Sequence, residues 1–290
     1  MTSYLNLTES DKQKVLELYY AMIPSKEIQK TLDISHRCYQ NVLKEFNING
    51  KLKNRYSINE SYFDVIDDDS KAYILGYIAA DGYVGDEHFN NVIISSNDIQ
   101  ILEDIKAKLD FTGQIKNRGK GGFENSKDNF VIAFSNKHIA SVLRNYGLTP
   151  KKSLIFDTIP ECIPSNLITS FLRGYFDGDG AIVLSTTSKT YKNKIYQYRK
   201  MTVSIIGTKP FLLNCVEKMN IHNYSLTQSH TPEMFYLRIH KNSEILRLFQ
   251  EFYSDSTICL NRKYLLWKEN LGLCQKWSEQ RGLIAGKHTV

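Results

Sequence analysis

The sequence predicts an α+β protein: a small all-α module, then two copies of an α-β-β-α-β-β-α unit forming a pseudo-symmetric pair. Three observations predict it. Residues 72–84 (AYILGYIAADGYV) and 170–183 (SFLRGYFDGDGAIV) are alike, so the chain carries an internal repeat. Each copy is followed by strand-like alternation broken by helical periodicity. Residues 1–49 show helical periodicity only. The expected division is a helical module at 1–49, a linker at 50–69, repeats at 70–160 and 161–275, and a tail at 276–290.

Taken in order, Thr8 ahead of Glu9, Ser10 and Asp11 starts a helix with Val15, Leu16, Leu18, Tyr19 and Met22 inward. Pro24 ends it, and Ser25 is placed to cap a second helix through Ile28 and Leu32. Asp33-Ile34-Ser35 makes a turn into a third helix, His36 to Phe46, with Tyr39, Val42, Leu43 and Phe46 on one face. Three short helices with such a turn before the last match helix-turn-helix geometry. Arg37, Gln40, Asn41 and Lys44 would then face DNA, although a protein-binding cap has the same pattern. Residues 47–69, basic at Lys51, Lys53 and Arg55 and acidic at Asp67, Asp68 and Asp69, read as a linker for want of periodicity.

In the first repeat, strands are expected within 83–96, at 114–118 and at 130–134, with helices at 98–109 and 137–146. The second repeats this through 182–206, 209–219, 225–229, 235–240 and 243–253. KSLIF from Lys152 matches KYLLW from Lys263, and 58 positions separate each lysine from Ile94 or Ile205. From Asp81 to Ile94 is 13 positions and from Asp179 to Ile205 is 26, so the second copy has its excess just after its motif.

Gly76 and Ala80 lie four apart, as do Gly174 and Gly178, so each pair shares a helix face. Glycine costs about 1 kcal/mol in a helix interior, and two matched glycines point to close approach of two helix backbones. Helices packed this way would bring Asp81 beside Asp179. Two carboxylates at helix C-termini oppose the dipoles and each other, and a divalent cation resolves both conflicts. Hard oxygen ligands with open positions favour Mg²⁺, with Ala80 and Gly178 beside the aspartates as further contacts. One copy alone could be an ordinary Asp-Gly turn after a buried helix; two matched copies point to a site.

ILGYIAADG and LRGYFDGDG resemble the LAGLIDADG motif of homing endonucleases, and two motifs in one chain resemble the single-chain members. The likeness covers residues 70–270. It implies that two sheets form a saddle over the major groove, and that Asp81 and Asp179 hold two or three Mg²⁺ ions. Lys152 and Lys263 become ancillary catalytic groups, with Lys151 and Arg262 as weaker candidates. Some members use a polar residue at the base of an early strand; the nearest counterparts are Ser96 and Gly207, which leaves that role unassigned. Ala79 stands where the second motif has Asp177, a position usually structural in the family. DNA contacts are expected from Lys116, Arg118, Lys120, Lys189, Lys192, Lys194, Tyr196, Tyr198, Arg199, Lys200 and Arg238.

The implied activity is site-specific, Mg²⁺-dependent hydrolysis of both strands of a long duplex DNA site. An RNA maturase that assists intron splicing, or a DNA-binding transcriptional regulator, would use the same scaffold. An intein nuclease would need splicing blocks, and the start at Met1 and the ending GKHTV read as a free-standing protein.

Composition agrees without deciding. Lys plus Arg exceed Asp plus Glu by 37 to 31, a net +6 that suits a polyanion binder when clustered. Five dispersed cysteines read as free thiols in a reducing compartment, against a disulfide framework or zinc site. No signal peptide or membrane span is evident, so the expectation is a soluble intracellular monomer, cytoplasmic or in an organellar matrix.

Overall fold

The computed structural model describes residues 4–21, 23–48, 56–120, 127–191 and 194–274, without side chains at 189, 191, 194 and 196. The chain divides into two compact units, Met1–Ile58 with Asp110–Gln114, and Asn59–Leu109 with Ile115–Val290.

The first unit holds α1 (Glu9–Tyr20), α2 (Ser25–Thr31) and α3 (His36–Glu45). Thr8 and Asp11 form a reciprocal capping box at the start of α1, and Ser35 caps α3 through the Cys38 amide. Ser25 does not cap α2. Pro24 holds that position and Ser25 is the first helical residue, because the fixed φ of proline already directs the chain into the helix. The core gathers Val15, Leu16 and Tyr19 with Ile28, Ile34 and Val42. Phe46, expected inward, is 39% exposed because the helix ends one residue before it. Arg37 and Lys44 are exposed on α3, and Gln40 is half-buried.

The second unit contains both repeats. The first runs α4 (Asp69–Asp81), β1 (Gly82–Val84), β2 (Asn91–Ser96), α5 (Ile99–Lys108), β3 (Lys116–Lys120), β4 (Asp128–Ser135) and α6 (Lys137–Asn145). The other runs α7 (Ile168–Asp179), β5 (Gly180–Tyr191), β6 (Lys194–Thr208), α8 (Lys209–Lys218), β7 (Tyr224–Gln228), β8 (Met234–Ile239) and α9 (Asn242–Tyr253). A further helix, α10 (Asn261–Asn270), was not expected. The sheets are antiparallel with orders β1-β2-β4-β3 and β5-β6-β8-β7, the same permutation twice. Register repeats too: Gly82 faces Ile94 as Gly180 faces Ile205. The excess residues of the second copy lengthen the β5–β6 hairpin.

α4 and α7 form the centre. Every residue of α4 from Ser70 to Ala80 except Lys71 is buried, as expected of a helix enclosed on all sides. A Cβ on Gly76 would fall inside the Phe171 carbonyl and 3.0 Å from the Tyr175 nitrogen. At Gly174 it would enter the Tyr73 carbonyl and sit 2.9 Å from the Tyr77 nitrogen. The two glycines thus make reciprocal backbone contacts. At the opposite end, Asp69 joins the helices: it accepts from Arg173 at 2.6 Å, Ser170 at 2.7 Å and the Thr257 hydroxyl at 2.6 Å.

The stretch read as a linker is only partly a tether. Tyr62, Phe63 and Ile66 are buried, the Tyr146 hydroxyl donates to the Phe63 carbonyl at 2.8 Å, and Asp68 caps α4 through the Lys71 amide. Its aromatic residues are spaced too irregularly for a periodic signal, and burial comes from α6 and α4 instead. Lys51, Lys53 and Arg55, and the tail at 276–290, lie outside the described residues. Among the described residues no helix is long and apolar enough to cross a membrane, and the five cysteines are free thiols.

Gly174→Ala is expected to destabilise the protein by about 3 kcal/mol, at the upper end of overpacking costs, since backbone must move. Gly272, with open space around it, serves as control. Denaturant unfolding should show Gly272→Ala within about 0.5 kcal/mol of wild type.

Candidate active site

Each motif helix ends on its aspartate and passes through a glycine in extended conformation, Gly82 or Gly180, straight into a strand. Close packing persists to the tips. A Cβ on Gly178 would strike the Ala80 Cβ and lie 3.5 Å from the Asp81 carboxyl carbon. Asp81 and Asp179 are therefore neighbours at one end of the helix pair.

Their electrostatics bear the mark of that placement. Burial, and then the Asp81 charge, push the Asp179 carboxyl up to about 6. Burial also raises Asp81, against the pull of Lys263, Lys152 and Arg262. Neither carboxylate accepts a hydrogen bond among the described residues. Two unshielded carboxylates without donors form a hard oxygen pair suited to a divalent cation that retains water or phosphate ligands. Among the described residues no cluster of three His, Cys, Asp or Glu side chains forms, so a closed protein cage is not built.

Lys152 and Lys263, far apart in sequence, arrive beside the aspartates with ammonium groups buried under the helix tips. Lys152 Nζ donates to the carbonyls of Ala80 at 3.0 Å and Gly82 at 2.7 Å. Lys263 Nζ donates to those of Phe176, Asp177 and Gly178 at 2.7, 2.8 and 3.3 Å, and to that of Gly180. The carbonyls of Ala80 and Gly178, expected beside a metal, are thus already engaged by cations. Each lysine satisfies terminal carbonyls and offsets the negative end of a helix dipole. Desolvation lowers both lysines, Lys263 to about 8 and Lys152 in the same direction. Lys152 sits in a short 3₁₀ turn after Lys151, which has φ 63°, whereas Lys263 opens α10.

Asp177 is buried and structural. It accepts from the Leu260 amide at 2.7 Å and the hydroxyls of Tyr73 at 2.8 Å and Tyr253 at 3.3 Å. Leu260 is the cap residue of α10 and has no side-chain cap of its own, so Asp177 fixes the start of the helix bearing Arg262 and Lys263. Ala79, its counterpart, offers nothing comparable.

Ser96 and Gly207 are the nearest counterparts of the early-strand polar position, whose role the sequence leaves unassigned. Ser96 is buried and accepts from the Asp98 amide at 3.1 Å, and Gly207 packs against Phe211. Strand alternation turns these positions away from the aspartates. The residues beside the tips are Ser95, whose hydroxyl donates to the Asp81 carbonyl at 3.4 Å, and Ile206. Only the β1–β2 and β5–β6 registers reveal this, a one-residue distinction that periodicity alone does not fix.

The sheet faces away from the helices carry many of the expected cations. Lys116 pairs with Val131 and shares a side with exposed Arg118. Lys120 follows a bulge containing Gly119, φ +78°, and pairs with Asp128. Arg238 donates to Thr227 and lies 4.8 Å over the Tyr236 ring. Tyr198 and Lys200 share its side of β6. Arg199 has the parity of Met201 and Val203, so it projects from the other face. His240, not anticipated, bridges Thr202 at 3.1 Å and Ser225 at 3.3 Å; burial, then Lys200 and Arg238, hold its pKa down. Lys192 lies outside the described residues, as do the side chains of Lys189, Lys194 and Tyr196.

No protein-family profile matches the chain. An uncharacterised protein of Methanocaldococcus jannaschii, MJ0314, is 31% identical over 161 residues, 53% of this chain and 55% of that protein. The chain thus spans about half the length of the curated relative it matches. Among solved structures, the I-LtrWI LAGLIDADG homing endonuclease bound to target DNA superposes with TM-score 0.50. It shares 17% identity, over 75% of this chain and 92% of that one. The LAGLIDADG meganuclease I-AabMI bound to uncleaved DNA gives TM-score 0.50 and 12% identity, covering 72% and 91%.

Because Asp179 is raised in the fold, the native state holds its proton more tightly than the unfolded chain does. Stability is therefore lost as pH rises from about 4 to about 6. In EDTA, Asp179→Asn is expected to be more stable than wild type at pH 7.5 by roughly 2 kcal/mol, with the gap closing below pH ~4. Urea unfolding across pH checks this; a variant less stable at every pH contradicts it.

Proposed function

We propose that this chain, which has the fold of the LAGLIDADG homing endonucleases, is a site-specific endonuclease that hydrolyses both strands of duplex DNA. The observation carrying the proposal is the pair of donor-free carboxylates, Asp81 and Asp179, brought together by glycine-packed helices and flanked by two buried lysines. In each cut a water oxygen bonds to phosphorus as one bridging P–O bond breaks. One proton leaves the water and the departing oxygen takes one, so water is the only co-reactant.

A divalent ion, Mg²⁺ by the chemistry of the donor set, would supply charge neutralisation at the phosphate when bound. Asp81 and Asp179 would hold it, with the Ala80 and Gly178 carbonyls adjacent. Lys152 and Lys263 keep positive charge under the tips, where it opposes the repulsion between the carboxylates and the charge developing on phosphate. Arg262 adds a third cation near Asp81.

DNA would lie across the sheet faces that carry Lys116, Arg118, Lys200 and Arg238, whose cations suit phosphates and whose neighbouring Ser, Thr and Tyr side chains suit base edges. The helical module would add contacts through Arg37, Gln40 and Lys44 on α3. Supporting this, α3 turns Tyr39, Val42 and Leu43 inward and leaves its cations exposed.

Cleavage of a plasmid carrying the gene-free allele of the source locus, in Mg²⁺, tests the reading. Wild type is expected to linearise it. Asp81→Asn and Asp179→Asn should lose activity by a thousandfold or more, and Lys152→Met or Lys263→Met by about a hundredfold. Calcium should raise the Tm of wild type and leave Asp81→Asn unmoved. Undiminished cutting in either aspartate variant would refute the assignment. Arg37→Ala with Lys44→Ala should weaken DNA binding in a gel-shift titration and flatten its salt dependence, without changing single-turnover rate.

A further inference from the structure

Three arginines of the second unit are spent on the fold. Arg144 donates to the carbonyls of Gly85 and Asp86, Arg173 to those of Ile258 and Phe252 and to Asp69, and Arg247 to Glu244 and Glu251. Arg238 is placed differently. It stands on β8, on the face turned away from the helices, with Ser204 of β6 and Ser225 of β7 beside it in register. Its Nη1 donates to the Thr227 hydroxyl, and the guanidinium lies 4.8 Å over the Tyr236 ring. Among the described residues no carboxylate pairs with it. Its charge and its other donors remain available on that face.

The surroundings fix the plane of the group. Thr227 tethers one corner, Tyr236 supports the flat face, and His240, two residues on, bonds both Thr202 and Ser225, which ties β6 to β7 alongside. A phosphate is met well enough by a point charge on a flexible stem, as exposed Lys116 supplies. A base edge demands a planar pair of donors at a set angle, and a side chain already ordered in the free protein loses less entropy on meeting it. In the major groove guanine presents two acceptors side by side, O6 and N7, which match the arginine fork; adenine replaces one of them with a donor.

We infer that Arg238 determines specificity by reading one guanine in the major groove, with Thr227 and Tyr236 as its positioning residues. This rests on the reading above that duplex DNA lies across this face; Lys116, Arg118 and Lys200 keep the phosphates. Register also places the base. Tyr236 pairs with Ile206, which adjoins the helix tips, and Arg238 lies two residues farther along the same strand. At ~3.3 Å per residue that is about 7 Å, or about two base-pair steps of ~3.4 Å. The guanine therefore falls about two base pairs outward from the pair level with Ile206.

The test is a gel-shift profile of the full chain in Ca²⁺ on duplexes of the gene-free allele with each base pair replaced in turn, and cleavage in Mg²⁺ measured in parallel. Wild type should require guanine at one position within about four base pairs of a cut, where replacing it weakens binding roughly 5- to 150-fold. Arg238→Gln should move the preference at that position alone to adenine, whose N6 and N7 suit an amide. Arg238→Lys keeps the charge and should lose the discrimination with the salt slope unchanged. Thr227→Val should lower discrimination about threefold there and nowhere else, at wild-type Tm; a purely structural role would lower Tm and weaken every duplex alike. Uniform weakening with a shallower salt slope in Arg238→Gln marks a phosphate contact and overturns the inference, as does an unmoved guanine preference. Cleavage indifferent to that base overturns it while leaving the nuclease reading intact. Guanine-selective binding with no cutting in Mg²⁺ or Mn²⁺ does the reverse.

Discussion

The reciprocal backbone contact of α4 and α7 governs everything else in the second unit. Each glycine admits the partner's carbonyl at a place where any Cβ would collide, so the helix axes are held closer than side-chain packing allows. Distance at the tips follows from distance at the middle. Because Ala80 and Gly178 continue the small face, the aspartates end up side by side rather than splayed around a layer of larger residues. Glycine costs about 1 kcal/mol each in a helix interior, and larger residues there would force the helix axes apart at the site.

That geometry creates an electrostatic problem that the rest of the chain addresses. Two helix C-termini carry partial negative charge, and two carboxylates add to it in a half-desolvated place. Lys152 and Lys263 answer from beneath, donating to the carbonyls at the helix tips. At the far end, Asp69 with Arg173, Ser170 and Thr257 fixes the helices against each other. Burial works against the Asp69 carboxylate, but hydrogen bonds from Arg173, Thr257 and Ser170 prevail and hold its pKa below the ordinary value. One end of the pair is thus satisfied by an ion pair while the other keeps two carboxylates without donors. Such a contrast within one helix pair marks the aspartate end as the candidate site.

How much of this can be read from sequence depends on the range of the interaction. The repeat, the strand alternation and the matched glycines are local patterns, and each maps onto the observed elements within a few residues. Lys152 and Lys263 are visible only by aligning the copies with each other, because their partners lie 70 or more positions away. Ser95 illustrates the limit. It differs from Ser96 by one residue, and the choice between them is made by strand register, which a single copy does not specify. Asp67 to Asp69 read as a charged linker because capping and ion pairing are settled by Lys71 and Arg173 once the helices exist.

The duplication also explains why the halves can differ without loss of the shared centre. The contacts between the halves gather along the helix pair, from Asp69 with Ser170 and Arg173 at one end, through the glycines and the Tyr73–Asp177 bond, to the aspartates at the other, so residues farther out along the strands are freer to diverge. β5 and β6 are 12 and 15 residues long where β1 and β2 have three and six. At ~3.3 Å per residue that hairpin runs about 40 Å from its motif, against about 10 Å for β1. On a duplex laid across both sheets, the second half would reach far more base pairs on its side, and the footprint would be lopsided. The unequal strand lengths and the differing residues at 95 and 206 have the same origin: the constraint acts on the helix pair, and it loosens with each residue beyond the helix tips.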